Sequence, residues 1–496
     1  MLRGKPHAPP LPAIGGSDAF IRKYDGNGNH LWTRQFGTID AESATGVAVD
    51  ASGVYVTGNT GGAFAGPSGL RDGFLRKYDH DGAVVWTQQF GTSTQNEETH
   101  AVAVGPSGVY VGGKTTGTFA TQTKVGGLWD SFISKFNLDG VSQWVRQFGG
   151  TGDGDDVYGL AIGGELLLVA GAAEGPLPGQ TFVGGVDAFI RLYDPNGNEL
   201  GTRQFGNGLN DYGTGVTADI SGFYVSGTKL GAALDLTPVG DNDIFVLKVI
   251  PPPVVPDRGV VNGASFATTA AALPPPPLAP GSIAVIFGSY LNDGSNSLTT
   301  NFGPDGKLIT SLGGTQVRVN NVPAPIFYST PGQVAIQIPF EVASQTTASL
   351  VVTVAGQSSA PRTISIAPTA PGFFTLNQAG SGAAVVLHTD GATPVTAANP
   401  ARPNEVVIFY MTGLGVLSSP VETGAPAGGN PSTVSTNLNI GGIVAAVDYA
   451  GAAPGFVGLN QVNARIPANA QTGASVSVIF SIGGRSSNQV TIPIGQ

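Results

Sequence analysis

Four carboxylates recur along the first half of the chain. Glu42, Glu97, Asp155 and Asp211 each stand five residues before the aligned valine-type position (Val47, Val102, Leu160, Val216) of a short strand. Gathered about a common axis, one acid per repeat would line one mouth of a channel with negative charge, suited to a basic peptide, a glycan or a cation. Acids in such places also do a local job, accepting backbone N–H bonds that close a tight loop. The local role is the favoured one, because tandem repeats copy structural residues as readily as functional ones.

Other groups that could do chemistry are sparse. The five histidines (His7, His30, His80, His100, His388) show no metal-ligand spacing and read as surface residues. There is no cysteine, no nucleophile elbow, no Walker loop and no H-E-x-x-H. The turns Asp25-Gly26-Asn27-Gly28-Asn29, Asp79-His80-Asp81-Gly82 and Asp194-Pro195-Asn196-Gly197 resemble the start of a calcium loop. They lack the bidentate Glu that closes one, with Phe36, Phe90 and Phe205 near its place. A hairpin turn accounts for the same residues, so no cofactor is expected, calcium being the alternative weighed. No constellation of unlike catalytic residues is visible, and the protein reads as a non-enzyme.

The elements that position these acids come from a repeat. DAFIRKYDGNGNHLWTRQFG from Asp18 recurs from Asp72, Asp130 and Asp187, and a fifth copy, DIFVLKV from Asp243, stops short. Such a period points to an array of supersecondary units. In each unit an alternating strand (Phe20 to Tyr24 in the first) enters a turn centred on Asn27-Gly28, Asp81-Gly82, Asp139-Gly140 or Asn196-Gly197. That pairing predicts a two-residue type I′ hairpin with positive φ at both positions. A return strand ending in Gln-Phe-Gly follows, then a small apolar strand (Gly46 to Val49), then a Val-Tyr-Val strand and a long Gly/Thr-rich loop. Four antiparallel strands per repeat make a propeller blade. The small strand is expected innermost and the Trp32, Trp86 and Trp144 strand outermost, the tryptophans packing a blade face.

These residues resemble the bacterial SBBP repeat over about 14–249, through D-x-F-[IL]-x-x-[YF]-[DN]-x-[DN]-G and Q-F-G. The resemblance implies a β-propeller and a tendency to occur in exported proteins, and it implies no reaction. Counted from the inner strand, the array opens with a half-blade, holds three complete blades and closes with three strands. The chain is therefore expected to begin inside a repeat, with further blades and an export signal upstream. The alternative is a four-bladed ring closed by the Trp32 strand.

Prolines 251–253 and Pro256 mark a linker at 250–258. Beyond it a second duplication appears: LGGTQVRVNNVPAPIFYSTPGQVAIQIP (from Leu312) matches IGGIVAAVDYAGAAPGFVGLNQVNARIP (from Ile440). Short alternating strands in each copy predict two Ig-like β-sandwiches, 259–368 and 369–496. The region resembles an uncharacterised Ig-like C-terminal domain of exported soil-bacterial proteins, carried by VVNGASF, APGSIAVIFG and SSNQVTI.

The expected protein is thus all-β: a remnant N-terminus (1–13), a β-propeller of four-stranded blades, a linker and two Ig-like β-sandwiches. With 23 basic against 33 acidic residues and no basic cluster, nucleic acid is excluded as a partner. No apolar run approaches the length of a membrane helix, and no signal peptide is visible in this chain. The expected role is non-catalytic binding, adhesion or scaffolding in a secreted or cell-surface protein, toward a protein or glycan ligand. A propeller glycan hydrolase or lyase and a purely structural envelope component are the rivals.

Overall fold

The computed structural model describes residues 12–64, 69–231, 242–267, 275–295 and 298–496. Nearly all of the expected remnant at 1–13 lies outside them. The described chain is all-β, with one short 3-10 turn at Phe340–Val342, and divides into two compact units, Met1–Ile250 and Pro251–Gln496.

In the first unit β1 (Ala19–Tyr24) and β2 (His30–Phe36) form a leading hairpin. Sheet I contains β3 (Glu42–Asp50), β4 (Gly53–Thr60), β5 (Asp72–Tyr78) and β6 (Val84–Phe90). Sheet II contains β7 (Glu97–Gly105), β8 (Gly108–Thr115), β9 (Asp130–Phe136) and β10 (Ser142–Phe148). Sheet III contains β11 (Asp155–Gly163), β12 (Leu166–Ala173), β13 (Asp187–Tyr193) and β14 (Glu199–Phe205). Sheet IV has three strands, β15 (Tyr212–Asp219), β16 (Gly222–Leu230) and β17 (Asn242–Val249).

Every sheet is antiparallel in sequence order, and β3, β7, β11 and β15 pack side by side. The small strand is thus the one shared between neighbouring sheets, and the tryptophan strand is an outer edge. Half a sheet, three whole ones and three strands of another is the count that the repeat predicts. β2 pairs with β1 alone and β17 with β16 alone, so the four-bladed ring closed by the Trp32 strand is not formed.

Repetition in sequence becomes repetition in packing. The Gln-Phe-Gly phenylalanine of one unit meets the Asp-x-Phe ring of the next: Phe36–Phe74 at 5.6 Å, Phe148–Phe189 at 5.7 Å and Phe205–Phe245 at 5.7 Å, each near-perpendicular. Phe74, Phe132 and Phe189 are fully buried, whereas Phe20, with no sheet before it among the described residues, is 61% exposed. The tryptophans join the same seams. Trp32, Trp86 and Trp144 donate through Nε1 to the His80, Leu138 and Pro195 carbonyls, each in the hairpin turn of the next unit. The fourth copy carries Gly201 there, and the fifth copy has no hairpin to receive a ring.

The hairpin differs from expectation. Gly28, Gly82, Gly140 and Gly197 have φ between 77° and 85°, but Asn27, Asp81, Asp139 and Asn196 are not in the left-handed region. Each turn is closed from the glycine N–H to the carbonyl three residues back, as from Gly28 to Asp25 at 3.0 Å. The connection is therefore a type I turn followed by a left-handed glycine. The cause is the residue opening it: Asp25 Oδ1 accepts from the N–H groups of Asn27 and Asn29, and Asp79, Asn137 and Asp194 do the same.

In the second unit, part of the proline stretch belongs to the fold. Val254 pairs with Ser289, and Val255 is buried in the core. Residues up to 368 form two sheets, one centred on Ile283–Phe287 and Gln333–Gln337, the other on Thr315–Val319 and Thr347–Val354. They close over Ile286, Ile336, Val317 and Leu350. In the second copy the path is continuous: Ile443–Ala452 pairs with Thr436–Ile440 by its first half and with Asn460–Arg465 by its second. The matching segment of the first copy is broken into two strands at Asn320-Asn321, both in the left-handed region. Asp448-Tyr449 stands there in the second copy, and a register shift between Val447 and Tyr449 lets the strand run on.

Candidate functional site

The four recurring acids are seated inside the sheets, each at most 3% exposed. Glu42 accepts from the Thr38 N–H (2.7 Å), the Thr38 hydroxyl (2.6 Å) and the Thr60 hydroxyl (2.8 Å). Glu97 repeats the pattern with Thr92 and Thr115. Asp155 accepts from the Gly150 N–H at 2.8 Å and Asp211 from the Asn207 N–H at 3.1 Å. These bonds clamp the loop that enters each inner strand. Beside them the Asp that opens each repeat accepts from the Gln of Gln-Phe-Gly, as Asp72 does from Gln89 at 2.7 Å and Asp130 from Gln147 at 2.8 Å. The motif glycine separates the two acids. A Cβ on Gly91 would lie 2.4 Å from Glu97 Oε2 and 2.6 Å from Asp72 Oδ1.

The next residue along each inner strand turns to the opposite face, and there the copies differ: Ser43, Glu98, Asp156 and Tyr212. Two residues further on, each strand carries a β-bulge. The register slips between Ala44 and Gly46, Thr99 and Ala101, Val157 and Gly159, and Gly213 and Gly215. The extra residue in each copy is Thr45, His100, Tyr158 or Thr214. A bulge re-aims one side chain out of the alternation, and in sheets II and III it presents His100 and Tyr158 where the other copies carry threonine.

Sheets II and III thereby bring unlike groups together. Lys114 Nζ, on β8, lies 3.3 Å from Asp156 Oδ2 and 3.4 Å from Glu98 Oε2. Arg71 reaches Glu98 Oε1 at 2.9 Å, and His100 Nε2 stands 3.7 Å from Asp156 Oδ2. The Lys114 ammonium also sits 4.8 Å above the Trp129 ring centre. Tyr158 meets the His100 ring edge-on at 5.8 Å and the Tyr212 ring at 6.3 Å. A cleft of about 260 Å³ opens here, walled by Trp129, Tyr158 and Tyr212 and by Asp153, Asp155, Asp156 and Glu174.

Burial sets the electrostatics. It pushes the Asp156 carboxyl up to about 7 against the pull of Lys114. Asp155 also rises to about 7, through burial and then the nearby Asp130 carboxylate. Burial, with Lys114 beside it, holds the His100 imidazole below its usual range, and burial, followed by the nearby Asp156, raises the Tyr158 hydroxyl. Asp155 Oδ1 and Asp156 Oδ1 accept no hydrogen bond, and Asp156 Oδ2 is met by Lys114 and His100. Among the described residues no group of three or more His, Asp or Glu side chains is arranged to hold a metal ion. Such a cleft can bind a polar ligand, and an Asp near neutrality beside Glu98 can exchange a proton.

Of the recurring acids, only Asp155 lines this cleft. The sequence reading missed Glu98, His100, Lys114, Asp156 and Tyr158, and it placed His100 on the open surface, whereas the side chain is 28% exposed within the cluster. The available signal was variation. Aligned copies diverge one and three residues after each acid.

Fold and site define an all-β protein of stacked four-stranded antiparallel sheets with a charged, aromatic cleft at the shared strands. No helix among the described residues is long and apolar enough to cross a membrane. No family model matches the sequence. A curated relative is the regulatory protein FlaEY of Caulobacter vibrioides, 29% identical over 256 residues. The match covers 48% of this chain and a quarter (25%) of that protein's length. Among solved structures, a neuraminidase-like protein of subtype N11 from A/flat-faced bat/Peru/033/2010 aligns at 12% identity and a TM-score of 0.28, covering 47% of this chain and 71% of that one. The sialidase of Trypanosoma rangeli aligns at 11% and 0.26, covering 96% and 87%. Likenesses this slight carry no argument about fold or activity.

Proposed function

We propose that this chain is a non-catalytic extracellular binding protein of the SBBP propeller type, carried on Ig-like domains, and that its ligand enters the cleft bordered by β8, β11 and β15. The observation that carries this reading is the contrast within the inner strands. One face carries an acid at the same point of all four copies, Glu twice and Asp twice, as a loop clamp, and the other face gathers Glu98, His100, Lys114, Asp156 and Tyr158. Variation at one mouth of a repeat array is a way for a repeat scaffold to acquire specificity. A protein or glycan ligand fits the mixture of aromatic walls and charged groups.

A propeller glycan hydrolase is the second reading, favoured by Asp156, held near neutrality beside a second carboxylate. It is the weaker one because Lys114 bridges both carboxylates. Glycan-array binding and envelope pull-down, run beside hydrolysis of dye-linked polysaccharides, separate the two. Binding abolished by Tyr158→Ala with no dye release is expected. Dye release lost in Asp156→Asn would establish the hydrolase, and binding unchanged in both variants would remove the cleft from either role.

A further inference from the structure

The cleft already holds one cation of its own. The Lys114 ammonium lies over the face of Trp129 and between Glu98 and Asp156, the arrangement in which aromatic rings and carboxylates recognise an organic ammonium. That single ammonium does not exhaust the site. Four acids, Asp153, Asp155, Asp156 and Glu174, border the cleft against this one lysine. The Asp156 side chain is 7% exposed and turned to the mouth, yet its Oδ1 accepts no hydrogen bond. Buried carboxylate oxygens without donors are costly, and a ligand donor that reached them would remove the cost. Tyr158 and Tyr212 form a second aromatic wall beside that oxygen.

We propose that this cleft recognises an organic ammonium group on its ligand, held by the Asp156 carboxylate against the Tyr158–Tyr212 wall, with Lys114 as the internal group it competes with. The inference rests on the binding role proposed above and narrows it to a chemistry that a lysine side chain or an amino sugar supplies.

The test is titration calorimetry of the whole chain with Nα-acetyl-lysine methylamide and with glucosamine, against the uncharged Nα-acetyl-norleucine methylamide and N-acetylglucosamine. The charged member of at least one pair is expected to bind, and its neutral counterpart at least about tenfold more weakly. The pair that responds tells which source fits. Asp156→Asn is expected to weaken binding about tenfold or more. Should that variant fail to fold, Tyr212→Ala tests the exposed wall and is expected to weaken it several-fold. Lys114→Met removes the competitor, so the bound amine is expected to raise the variant's Tm by more than it raises the wild type's. Equal binding of charged and neutral members, wild-type binding in folded Asp156→Asn, or no extra Tm gain in Lys114→Met overturns the proposal. Failure of both amines while neutral glycans bind overturns it and leaves the binding role standing.

Discussion

Glu97 and Glu98 are neighbours of the same residue type on one strand, yet they belong to different parts of the molecule. Glu97 points into its sheet, fully buried, and holds a loop through Thr92 and Thr115. Glu98 points to the shared mouth and meets Arg71 and Lys114. Asp155 and Asp156 repeat the contrast one sheet further on. A strand's two-residue alternation assigns adjacent acids to opposite faces. The face packed within the sheet needs a carboxylate at that point in every copy, Glu or Asp, because every copy closes the same loop. The face at the mouth is free of that demand, and there the copies diverge. In this array, repetition marks what the fold requires and divergence marks where a ligand can be read.

The comparison breaks most visibly at the clamp. Glu97→Ala is expected to destabilise by about 3 kcal/mol, since Thr92 and Thr115 lose their buried acceptor. Glu98→Ala on the other face is expected to cost less than about 1 kcal/mol, as a partly exposed ion pair does. Urea unfolding of the two variants side by side measures the difference, and equal losses would erase the distinction.

A second effect depends on pH. The folded carboxyls of Asp155 and Asp156 hold protons up to about 7, whereas unfolded chain releases them near about 4. The folded state therefore binds more protons within that window, and stability is complete below it and declines as pH rises from about 4 to about 7. The decline is expected to be at most about 4 kcal/mol per group. Asp156→Asn should flatten the curve of Tm against pH, and an unchanged slope would place the titration elsewhere.

The seam between sheets offers a third contrast. Trp86→Ala is expected to cost about 2 kcal/mol, losing a ring packed on the next turn and a bond to the Leu138 carbonyl. Gly201→Trp, at the matching position with no turn to receive it, is expected to stay within about 0.5 kcal/mol. Smallest is the turn itself. Gly82→Ala, at φ 81°, is expected to cost about 1 kcal/mol, and Asn27→Ala, outside the left-handed region, only the share due to its turn preference. Thermal unfolding of the four variants ranks them, and an Asn27 loss as large as that of Gly82 would restore the two-residue turn.

The order of strands was legible in the chain. A 54- to 58-residue period, Gln-Phe-Gly, alternating strands and a small apolar strand dictate four-stranded sheets, and they fix which strand lies at the outer edge. They do so because each copy meets the same neighbours. The type of turn was misread from Asn-Gly and Asp-Gly, because the Asp or Asn two residues earlier caps the turn and removes the need for a second positive φ. The first unit's site was not legible from any one copy. Its members come from β7, β8, β11, β15 and the loops beside them, and neither the bulge that re-aims His100 and Tyr158 nor the stacking that sets Lys114 beside Asp156 leaves a mark in local sequence. The chain by itself determined that the recurring acids matter, since every copy retains one. Only the tertiary structure decided that they face inward, because which side of a strand meets protein and which meets solvent is settled by the sheet stacked against it.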